Sequence, residues 1–302
     1  MIEDIRGDQP KDALLRSLYE LRGRIPLSFE VFPPKNADGR TRMLETVDRL
    51  APVASRGFSV TMGAGGTTRS RTVATAAEIA RRTGHPVMAH LISQGLTRDE
   101  ALNTADELWE HGIRHILALR GDRPKTGASV LPPGFEHASD LVTALRRRHD
   151  FEIAVAAHPE KHPEAETLDQ DIDHLKRKLE AGAGSAYCQF VLDPAAYGRF
   201  LEVCGQRGIN APIIPGLMPI EKWPRVKRFA QMNGASVPDW LNKLLAQTET
   251  SPELEPYLAA VVTIEHARRL IAYGAPEMHV YTMNNWSLPL ALAMVIGHRD
   301  AL

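Results

Sequence analysis

Short apolar and β-branched runs alternate along the chain with longer stretches in which apolar residues recur every three or four positions. The first pattern is typical of buried strands and the second of amphipathic helices. We predict eight strands, at residues 26–32, 57–63, 86–92, 114–120, 152–157, 186–192, 211–217 and 277–283. Because helical patterns separate these runs throughout, the sheet is predicted to be parallel, with a crossover helix after each strand.

The number of β/α units and the chain length together predict the architecture. Eight units in 302 residues match an α/β protein of the (β/α)8 or TIM barrel type. A doubly wound sheet is the alternative, but it usually has fewer strands and often a glycine-rich turn after the first. Here Pro33-Pro34-Lys35 follows the first strand. Residues 221–274 hold more than one helical pattern and predict a helical insertion before the last strand, and we treat residues 1–302 as one barrel domain.

Three of the predicted helices have recognisable starts. The segments 97–100 and 167–170 both have the Thr-x-x-Glu/Gln spacing of a capping box. Asp193-Pro194 supplies an N-cap residue followed by a proline in the first turn. These signals place helix starts shortly after the predicted third, fifth and sixth strands.

Composition and charge narrow the classes of partner. The chain has 36 Lys and Arg against 37 Asp and Glu, so neither a nucleic-acid partner nor an acidic tail is indicated. Its cysteines, Cys188 and Cys204, lack paired spacing, which suits a reducing cytoplasm. The longest apolar run, 288–297, is about half of a membrane span, and no signal-peptide core begins the chain. We therefore predict a cytoplasmic protein that acts on small molecules, without a nucleic-acid or membrane partner.

One carboxylate, Glu30, interrupts an otherwise apolar strand that Pro33 and Pro34 close. A buried carboxylate must be paired, protonated or used in chemistry, because losing its hydration is costly. Proline stops the strand, so Glu30 is predicted to lie near its C-terminal end. In barrel enzymes that end of each strand carries the working groups.

The other predicted strands also end in residues that can bind or react. With Glu30 included, the strand-end residues in order are Glu30, Thr61 to Ala64, His90, Arg120-Gly121-Asp122, His158, Gln189, Pro219 and Thr282 to Asn285. A single strand-end aspartate often caps the next helix, a lone histidine is often a satisfied core group, and Arg120 could form a structural ion pair. Their occurrence together on one rim predicts an active site.

The helix predicted after the fifth strand carries a second polar group. Asp171, His174 and Lys178 lie beside its apolar stripe on a helical wheel, with Arg177 further round. A solvated charged face is one interpretation. Together with His162 in the preceding loop, the group could instead hold a diphosphate or a ribityl chain.

The segment from His158 to Glu164 also raises the possibility of a metal site, since histidine and glutamate recur at a spacing of four. Pro159 and Pro163 prevent the continuous helix that a helical zinc motif requires. We therefore assign no metal, and a metal-dependent barrel hydrolase built on His158 and His162 remains a minor alternative.

Further motifs extend collinearly from about residue 13 to the C-terminus. They are Ser28-Phe29-Glu30, Phe32-Pro33-Pro34, Val60-Thr61, Gly63-Ala64, His90-Leu91, Leu119 to Asp122, Ala138 to Val142, Pro159-Glu160, His162 to Ala165, Leu175 to Lys178, Gln189-Phe190, Ile213 to Gly216, Tyr281-Thr282 and Asn284. In these residues the chain resembles the bacterial methylenetetrahydrofolate reductases. The resemblance implies a (β/α)8 flavoprotein that reduces 5,10-methylenetetrahydrofolate to 5-methyltetrahydrofolate, with hydride passing from NADH or NADPH through bound FAD in ping-pong fashion. It also implies a homo-oligomer that supplies methyl groups for methionine synthesis.

The resemblance implies roles for individual residues. Glu30 would be the general acid that opens the five-membered ring of the folate, and Asp122 would bind the pterin and stabilise the cationic iminium. Substrate contacts would come from Ser28, Thr61, Asp122, Gln189, Trp223 and Asn285. FAD contacts would come from Met62, Ala64, His90, Arg120, Gly121, Asp122, His137, Ala138, His158, His162, Ala165, Asp171, His174, Arg177 and Lys178.

Several positions depart from the family pattern. Met62, His137 and His158 stand where bacterial members tend to have tyrosine, and His174 where they have asparagine. Trp223 replaces a stacking phenylalanine, and Asn285 replaces an arginine that contacts the folate carboxylate. The lost tyrosines leave open a flavin-free variant in which NADH reduces the folate directly. A non-catalytic folate- or flavin-binding protein is a further alternative, against which the retained Glu30 argues.

Overall fold

The computed structural model describes residues 25–63, 68–121 and 134–296. Its eight parallel strands pair in chain order and close into a barrel, so the prediction of a (β/α)8 fold is confirmed. The strands are β1 (Leu27–Val31), β2 (Gly57–Val60), β3 (Val87–Ile92), β4 (His115–Leu119), β5 (Glu152–Ala157), β6 (Ser185–Phe190), β7 (Ile213–Leu217) and β8 (Met278–Tyr281). Each lies within a few residues of its predicted position, and β2 shows the largest difference because it ends at Val60 rather than at residue 63.

The α-helices of the described ranges follow the strands around the barrel. They are α1 (Ala37–Leu50), α2 (Arg69–Thr83), α3 (Arg98–Glu110), α4 (Ala138–Arg148), α5 (Leu168–Glu180), α6 (Pro194–Gln206), α7 (Trp223–Asn233), α8 (Asp239–Ala246), α9 (Glu255–Ala272) and α10 (Ser287–Ile296). Short 3₁₀ turns lie at Ala51–Val53, Gln247–Glu249 and Pro252–Leu254. No helix in the described ranges has the length and apolar character needed to cross a membrane.

The predicted helix starts are present, with one correction. Thr97 and Glu100 form a complete capping box at α3, and Asp193 caps α6 ahead of its first-turn proline. At α5, Thr167 accepts a hydrogen bond from the backbone of Gln170 as expected. The Gln170 side chain instead accepts from the backbone of Glu166, so the capping box predicted there is only half formed.

The main core lies between the barrel wall and the surrounding helices. Leu27, Phe29 and Val31 of β1 belong to it together with Val47 and Leu50 of α1. Their alternation with Ser28 and Glu30 shows that the two polar residues face the other side of the strand. A small cluster that includes Met88, Leu117 and Ala154 fills part of the barrel interior.

The predicted insertion is formed by α7, α8 and the start of α9. Its apolar residues pack against Phe190, Met218 and Ile220, which follow or end strands β6 and β7. Tyr281 at the end of β8 also contacts this second core. The insertion is therefore attached at the C-terminal side of the barrel, where the candidate site lies.

Candidate active site

Glu30 lies inside the barrel with 5% of its surface exposed. Its Oε2 atom is 3.5 Å from Nε2 of His90 on β3, although β1 pairs only with β2 and β8 among the strands. A contact between strands that are not neighbours must cross the interior. Glu30 is the next-to-last residue of β1, near the C-terminal end of the strand as predicted.

A chain of polar side chains surrounds the Glu30 carboxyl group, and we call Ser28, Glu30, Ser59, His90 and His279 the acid pocket. Nδ1 of His279 is 2.8 Å from Oγ of Ser28, and its Nε2 is 3.3 Å from Oε2 of Glu30. On the other side, Nε2 of His90 lies 3.2 Å from Oγ of Ser59. The Glu30 backbone is also fixed, because Thr282 donates to its carbonyl oxygen through both Oγ1 and N.

The acid pocket holds a carboxyl group without a permanent cation. Among the described residues, the groups that pair with the Glu30 carboxylate are the two histidines, and no lysine or arginine does so. Burial lowers the pKa of His90 to about 4, an effect that outweighs the attraction of Glu30. The His90 ring is therefore neutral near pH 7. Burial, followed by the neighbouring Glu30, raises the pKa of Tyr281 well above its usual value.

A second group lies at the ends of β4 and β5 and on α5, and we call Arg120, His158, His162, Arg177 and Lys178 the cation cluster. Nη2 of Arg120 donates to Oε2 of Glu164 at 2.7 Å, with 22% of the arginine side chain exposed. A structural ion pair was one of the two interpretations of Arg120 from the sequence, and the structure shows such a pair with Glu164. Nζ of Lys178 donates to the backbone oxygen of Ala156 at 2.5 Å.

The groups of the cation cluster oppose one another's protonation. The pKa of Lys178 is lowered to about 8, mainly by burial, and the nearby Arg120 adds to this while Asp171 offsets part of it. Burial, then His162 and Lys178, lower the pKa of His158 to about 3. The pKa of His174 is also lowered, first by burial and then by Arg177. Arg120, Arg177 and Lys178 are thus gathered at this end of the barrel, with Asp171 and Glu164 as acidic neighbours.

The composition of the cation cluster fits a dinucleotide phosphate group. Arginine, lysine and imidazole N–H groups are hydrogen-bond donors that suit phosphate oxygens. Asp171 orders the loop beside them, since its Oδ2 accepts from the backbone N–H of His162 at 2.8 Å. The His158 and His162 rings meet edge to face with 4.7 Å between centroids. A bound anion would offset the repulsion between Arg120 and Lys178, which adds to the effect of burial on the pKa of Lys178.

Gln189 lies in a shallow pocket between the β5 and β6 loops and the end of α7. The pocket is lined by His158, Pro159, Glu160, Lys161, Gln189, Phe190, Val191, Asn233, Gly234 and Ala235. The Gln189 side chain accepts from the backbone of Phe190 at 3.0 Å and donates to Oδ1 of Asn233 at 3.2 Å. Glu160 in turn accepts hydrogen bonds from both the backbone and the hydroxyl of Ser236. The insertion and the predicted substrate residue are therefore directly connected.

The remaining predicted substrate residues are less accessible or already engaged. Trp223 is only 2% exposed and packs in the core of the insertion, so its stacking role stays a prediction. Asn285 donates to Oε2 of Glu221 at 2.8 Å. Thr61 is half-buried directly after β2, and its backbone N–H donates to the carbonyl oxygen of Val31.

The remaining predicted FAD residues lie mostly on the loops that follow β2, β4 and β5. Met62 is buried in the main core, His137 precedes α4 and is exposed, Ala138 is the first residue of α4, and Ala165 is buried. Gly121 has φ of +89°, and an added Cβ would lie 2.5 Å from Cγ2 of Ile92, so the backbone there requires glycine. Asp122 and Ala64 lie outside the described residues.

No group of three or more His, Cys, Asp or Glu side chains within the described ranges is arranged to hold a metal ion. His158 and His162 stand close together, but no third ligand of these types joins them in this part of the chain. The structure therefore offers no support for the metal-dependent hydrolase.

His279 is the functional candidate that the sequence interpretation missed. It pairs in register with Ser28 across the β1–β8 seam, and both residues face the interior with Glu30. The signal was present in β8, where His279 and Tyr281 alternate with the buried apolar residues Met278 and Val280. That alternation points the imidazole into the barrel.

Comparisons with known proteins agree on one family. A family model described as methylenetetrahydrofolate reductase matches residues 14–297. The chain is 37% identical over 289 residues to the 5,10-methylenetetrahydrofolate reductase of Pectobacterium carotovorum subsp. carotovorum, covering 96% of each chain. It is 37% identical over 296 residues to that of Escherichia coli (strain K12), covering 97% of each. It is also 30% identical over 299 residues to methylenetetrahydrofolate reductase (NADH) 1 of Arabidopsis thaliana, covering 95% of this chain and 50% of that protein.

Solved structures show the same fold at low sequence identity. A protein from Clostridium thermocellum, described as binding two copies of 5-methyl-5,6,7,8-tetrahydrofolic acid, superposes with a TM-score of 0.61 and 14% identity. That match covers 93% of this chain and 96% of the other. Dihydropteroate synthase of Thermus thermophilus matches with a TM-score of 0.50 and 14% identity, covering 93% of this chain and 95% of the other.

Proposed function

Since the chain belongs to the methylenetetrahydrofolate reductase family, we propose that it reduces 5,10-methylenetetrahydrofolate to 5-methyltetrahydrofolate with NADH or NADPH and bound FAD. The reductase activity follows from family membership over nearly the whole chain. The cofactor, the reductant and the ping-pong order of reaction are proposals. The name of the Arabidopsis relative specifies NADH, which favours NADH over NADPH.

The observation that carries the proposal is the buried Glu30 carboxyl group, which contacts His279 and the neutral His90 ring and pairs with no lysine or arginine among the described residues. A carboxyl group without a cation beside it can hold a proton and give it to a substrate. This is the property that ring opening requires. Glu30 donates its proton to the ring nitrogen that leaves the methylene carbon, and the electrons of the broken C–N bond move onto that nitrogen.

The iminium carbon formed in this way can then accept hydride. Glu30 is left as a carboxylate, and it regains one proton from solvent in each turnover. Asp122, which follows β4, would stabilise the cationic iminium electrostatically. Ser28, Thr61, Gln189, Trp223 and Asn285 are proposed to position the folate or the nicotinamide.

The cation cluster is proposed to hold FAD through its phosphates and ribose. Arg120, Lys178 and Arg177 supply charged donors, and His162 and Asp171 shape the adjoining loop. The other proposed contacts are His90, Gly121, Ala138, Met62, Ala64, His137, His158, Ala165 and, on α5, His174. When bound, FAD would accept hydride from the nicotinamide in one half-reaction and pass it to the folate in the next.

We also propose the cellular setting. Cys188 and Cys204 are both free, which suits a reducing compartment such as the cytoplasm. The product would supply methyl groups for methionine synthesis. The protein is proposed to work as a homo-oligomer.

The visible spectrum of the freshly purified protein is the first test. We expect flavin absorbance that bleaches on anaerobic addition of NADH or NADPH and returns on addition of methylenetetrahydrofolate. Return of the absorbance in the absence of free nicotinamide would support the ping-pong order. A colourless protein that takes up no FAD but still reduces the folate would instead support direct transfer. If the protein reduces no methylenetetrahydrofolate, either with bound FAD or without it, the proposed function is wrong.

A further inference from the structure

His279 links Ser28 to Glu30 through its two ring nitrogens. Nδ1 is 2.8 Å from the Ser28 hydroxyl oxygen and Nε2 is 3.3 Å from Oε2 of Glu30. The ring is 1% exposed. Tyr187 and Tyr281 contact it edge to face, with centroid distances of 5.1 and 5.4 Å. The imidazole is therefore held in one orientation by packing and by two hydrogen bonds.

A neutral imidazole has one donor and one acceptor, so two arrangements of protons are possible. In the first, the Ser28 hydroxyl donates to Nδ1, and the N–H at Nε2 donates to Oε2 of Glu30. In the second, Nδ1–H donates to the Ser28 oxygen, and a proton on Oε2 is donated to Nε2. The two arrangements place the acid proton of Glu30 on different oxygens.

The surroundings of Ser28 favour the first arrangement. The Ser28 side chain is buried, and His279 is its hydrogen-bond partner among the described residues. In the second arrangement the Ser28 hydroxyl hydrogen would have no acceptor there, and a buried donor without a partner costs about 1–3 kcal/mol. In the first arrangement the Ser28 hydroxyl, both ring nitrogens of His279 and Oε2 of Glu30 each have a hydrogen-bond partner.

The surroundings of Glu30 agree with this choice. His90 approaches the same oxygen as His279, with Nε2 at 3.5 Å from Oε2. Within the described ranges the contacts of both histidines are to Oε2, so Oε1 is the carboxyl oxygen that they leave for a substrate. An oxygen that accepts from a neighbouring N–H is a poor place for the acid proton.

We infer that His279, with its tautomer set by Ser28, is a positioning residue that holds the acid proton of Glu30 on Oε1, where the substrate can take it. The inference rests on the proposed function, because it specifies how the general acid of that reaction is aimed. After proton transfer from Oε1 to the leaving nitrogen, Nε2–H of His279 remains a donor to the new carboxylate. Such a bond favours the charged product form of Glu30.

The kinetic test compares His279→Leu with His279→Gln. The Leu variant removes the donor and should lower kcat for folate reduction about 10²-fold, within the usual range for general-acid catalysis. KM for the folate and the rate of flavin reduction by the nicotinamide should change little. The Gln variant places an amide N–H near the position of Nε2 and should recover most of the lost kcat. His266→Leu, a buried histidine outside the site, is the matched control and should leave kcat unchanged.

A spectroscopic test on the unmutated protein does not depend on any variant folding. Long-range ¹H–¹⁵N correlation spectra of protein with ¹⁵N-labelled histidine distinguish the two tautomers of each ring. We expect His279, assigned by its absence in His279→Gln, to carry its proton on Nε2, and Ser28→Ala to weaken that preference. A proton found on Nδ1 would overturn the inference.

The two tests separate this inference from the proposed function. If the unmutated enzyme reduces the folate while His279→Leu keeps full kcat, the positioning role of His279 is wrong and the function stands. If the unmutated enzyme reduces no folate, the function is wrong, and the tautomer measurement still decides which oxygen carries the proton. Loss of kcat in both the Leu and Gln variants, with flavin reduction also lost, would contradict the assigned role.

Discussion

The acid pocket and the cation cluster lie at the same end of one barrel but have opposite electrostatic environments. In the acid pocket a single carboxyl group is surrounded by hydroxyl groups and by His90, whose pKa is lowered by burial. In the cation cluster Lys178, Arg120 and their histidine neighbours crowd together, and the pKa of Lys178 is lowered to about 8 by burial and by Arg120.

This difference separates proton donation from anion binding within one site. A carboxyl group without a cation can keep a proton for transfer, whereas crowded cations are stabilised when an anion enters. The barrel achieves this because each region is built from different strands: β1, β2, β3 and β8 carry the acid pocket, and β4, β5 and α5 carry the cation cluster. Apart from His90, which is also a proposed FAD contact, changes in one region should therefore leave the reaction step of the other intact.

The largest expected effect comes from Glu30→Gln. The amide has nearly the shape of the carboxyl group but is no proton donor of comparable acidity, so folate reduction should fall by about 10³-fold. Flavin reduction by the nicotinamide, measured in stopped flow, should change less than about 3-fold, because that half-reaction needs no general acid.

The control for this variant is its flavin content and its thermal unfolding. If Glu30→Gln retains FAD and folds, but both half-reactions fail together, then Glu30 is not specifically the acid for the folate. The division between the two regions would then be wrong.

A smaller effect is expected from Lys178 in the cation cluster. Lys178→Met removes a charged donor, so FAD affinity should fall about 10-fold, the size of one charge-assisted hydrogen bond. Folate reduction at saturating FAD should be little changed. The measurement is the dissociation constant for FAD by flavin fluorescence.

The pH dependence of FAD binding distinguishes the contribution of Lys178 from that of its neighbours. Since the pKa of Lys178 is about 8 in the free protein, the ammonium form is present below that pH and is lost above it. A bound anion favours the ammonium form, so FAD affinity should be level below pH 8 and should decline above it. Lys178→Arg stays charged, so its affinity should not follow this decline. The same profile in both proteins would contradict the role of Lys178.

A still smaller effect tests whether Arg120 binds a phosphate group of FAD or serves only as a structural ion pair with Glu164. If its bond to Glu164 competes with a phosphate group, Glu164→Gln should tighten FAD binding about 3-fold, as expected for a partly exposed ion pair. The same fluorescence titration measures this change, and Glu160→Gln, a carboxylate held by Ser236, is the matched control. Weaker binding would show that the Arg120–Glu164 pair is a structural part of the site.

The fold and the burial of Glu30 in the first strand were predictable because their signals are local. Glu30 stood out as the carboxylate in an apolar run closed by Pro33 and Pro34, and the eightfold repeat of strand and helix predicted the closed barrel. The capping residues Thr97 and Asp193 placed helix starts correctly for the same reason. These features depend on neighbours within a few positions along the chain.

The partners of these residues could not be predicted, because they depend on barrel closure and on side-chain orientation. Ser28 and His279 are 251 positions apart in sequence and meet only when β8 pairs with β1. Trp223 was aligned with a stacking aromatic residue, but sequence position alone does not show which way an indole faces, and the structure packs it in the core of the insertion. The amide contacts of Gln189 with Asn233 likewise arise from how the insertion docks.

The smallest effect is expected at a third site, where His266 is buried on α9 with both ring nitrogens lacking a hydrogen-bond partner among the described residues. His266→Leu should stabilise the protein by about 1 kcal/mol, because an unsatisfied polar group is replaced by an apolar one. Burial lowers the pKa of His266 to about 4, so below pH 6.5 the unfolded chain binds a proton that the folded protein does not. The unmutated protein should therefore lose more stability than His266→Leu as the pH falls from 6.5 to 4, measured by urea unfolding. Both half-reactions should be unchanged in this variant, in contrast to His279→Leu, and a loss of either would show that His266 belongs to one of the two functional regions.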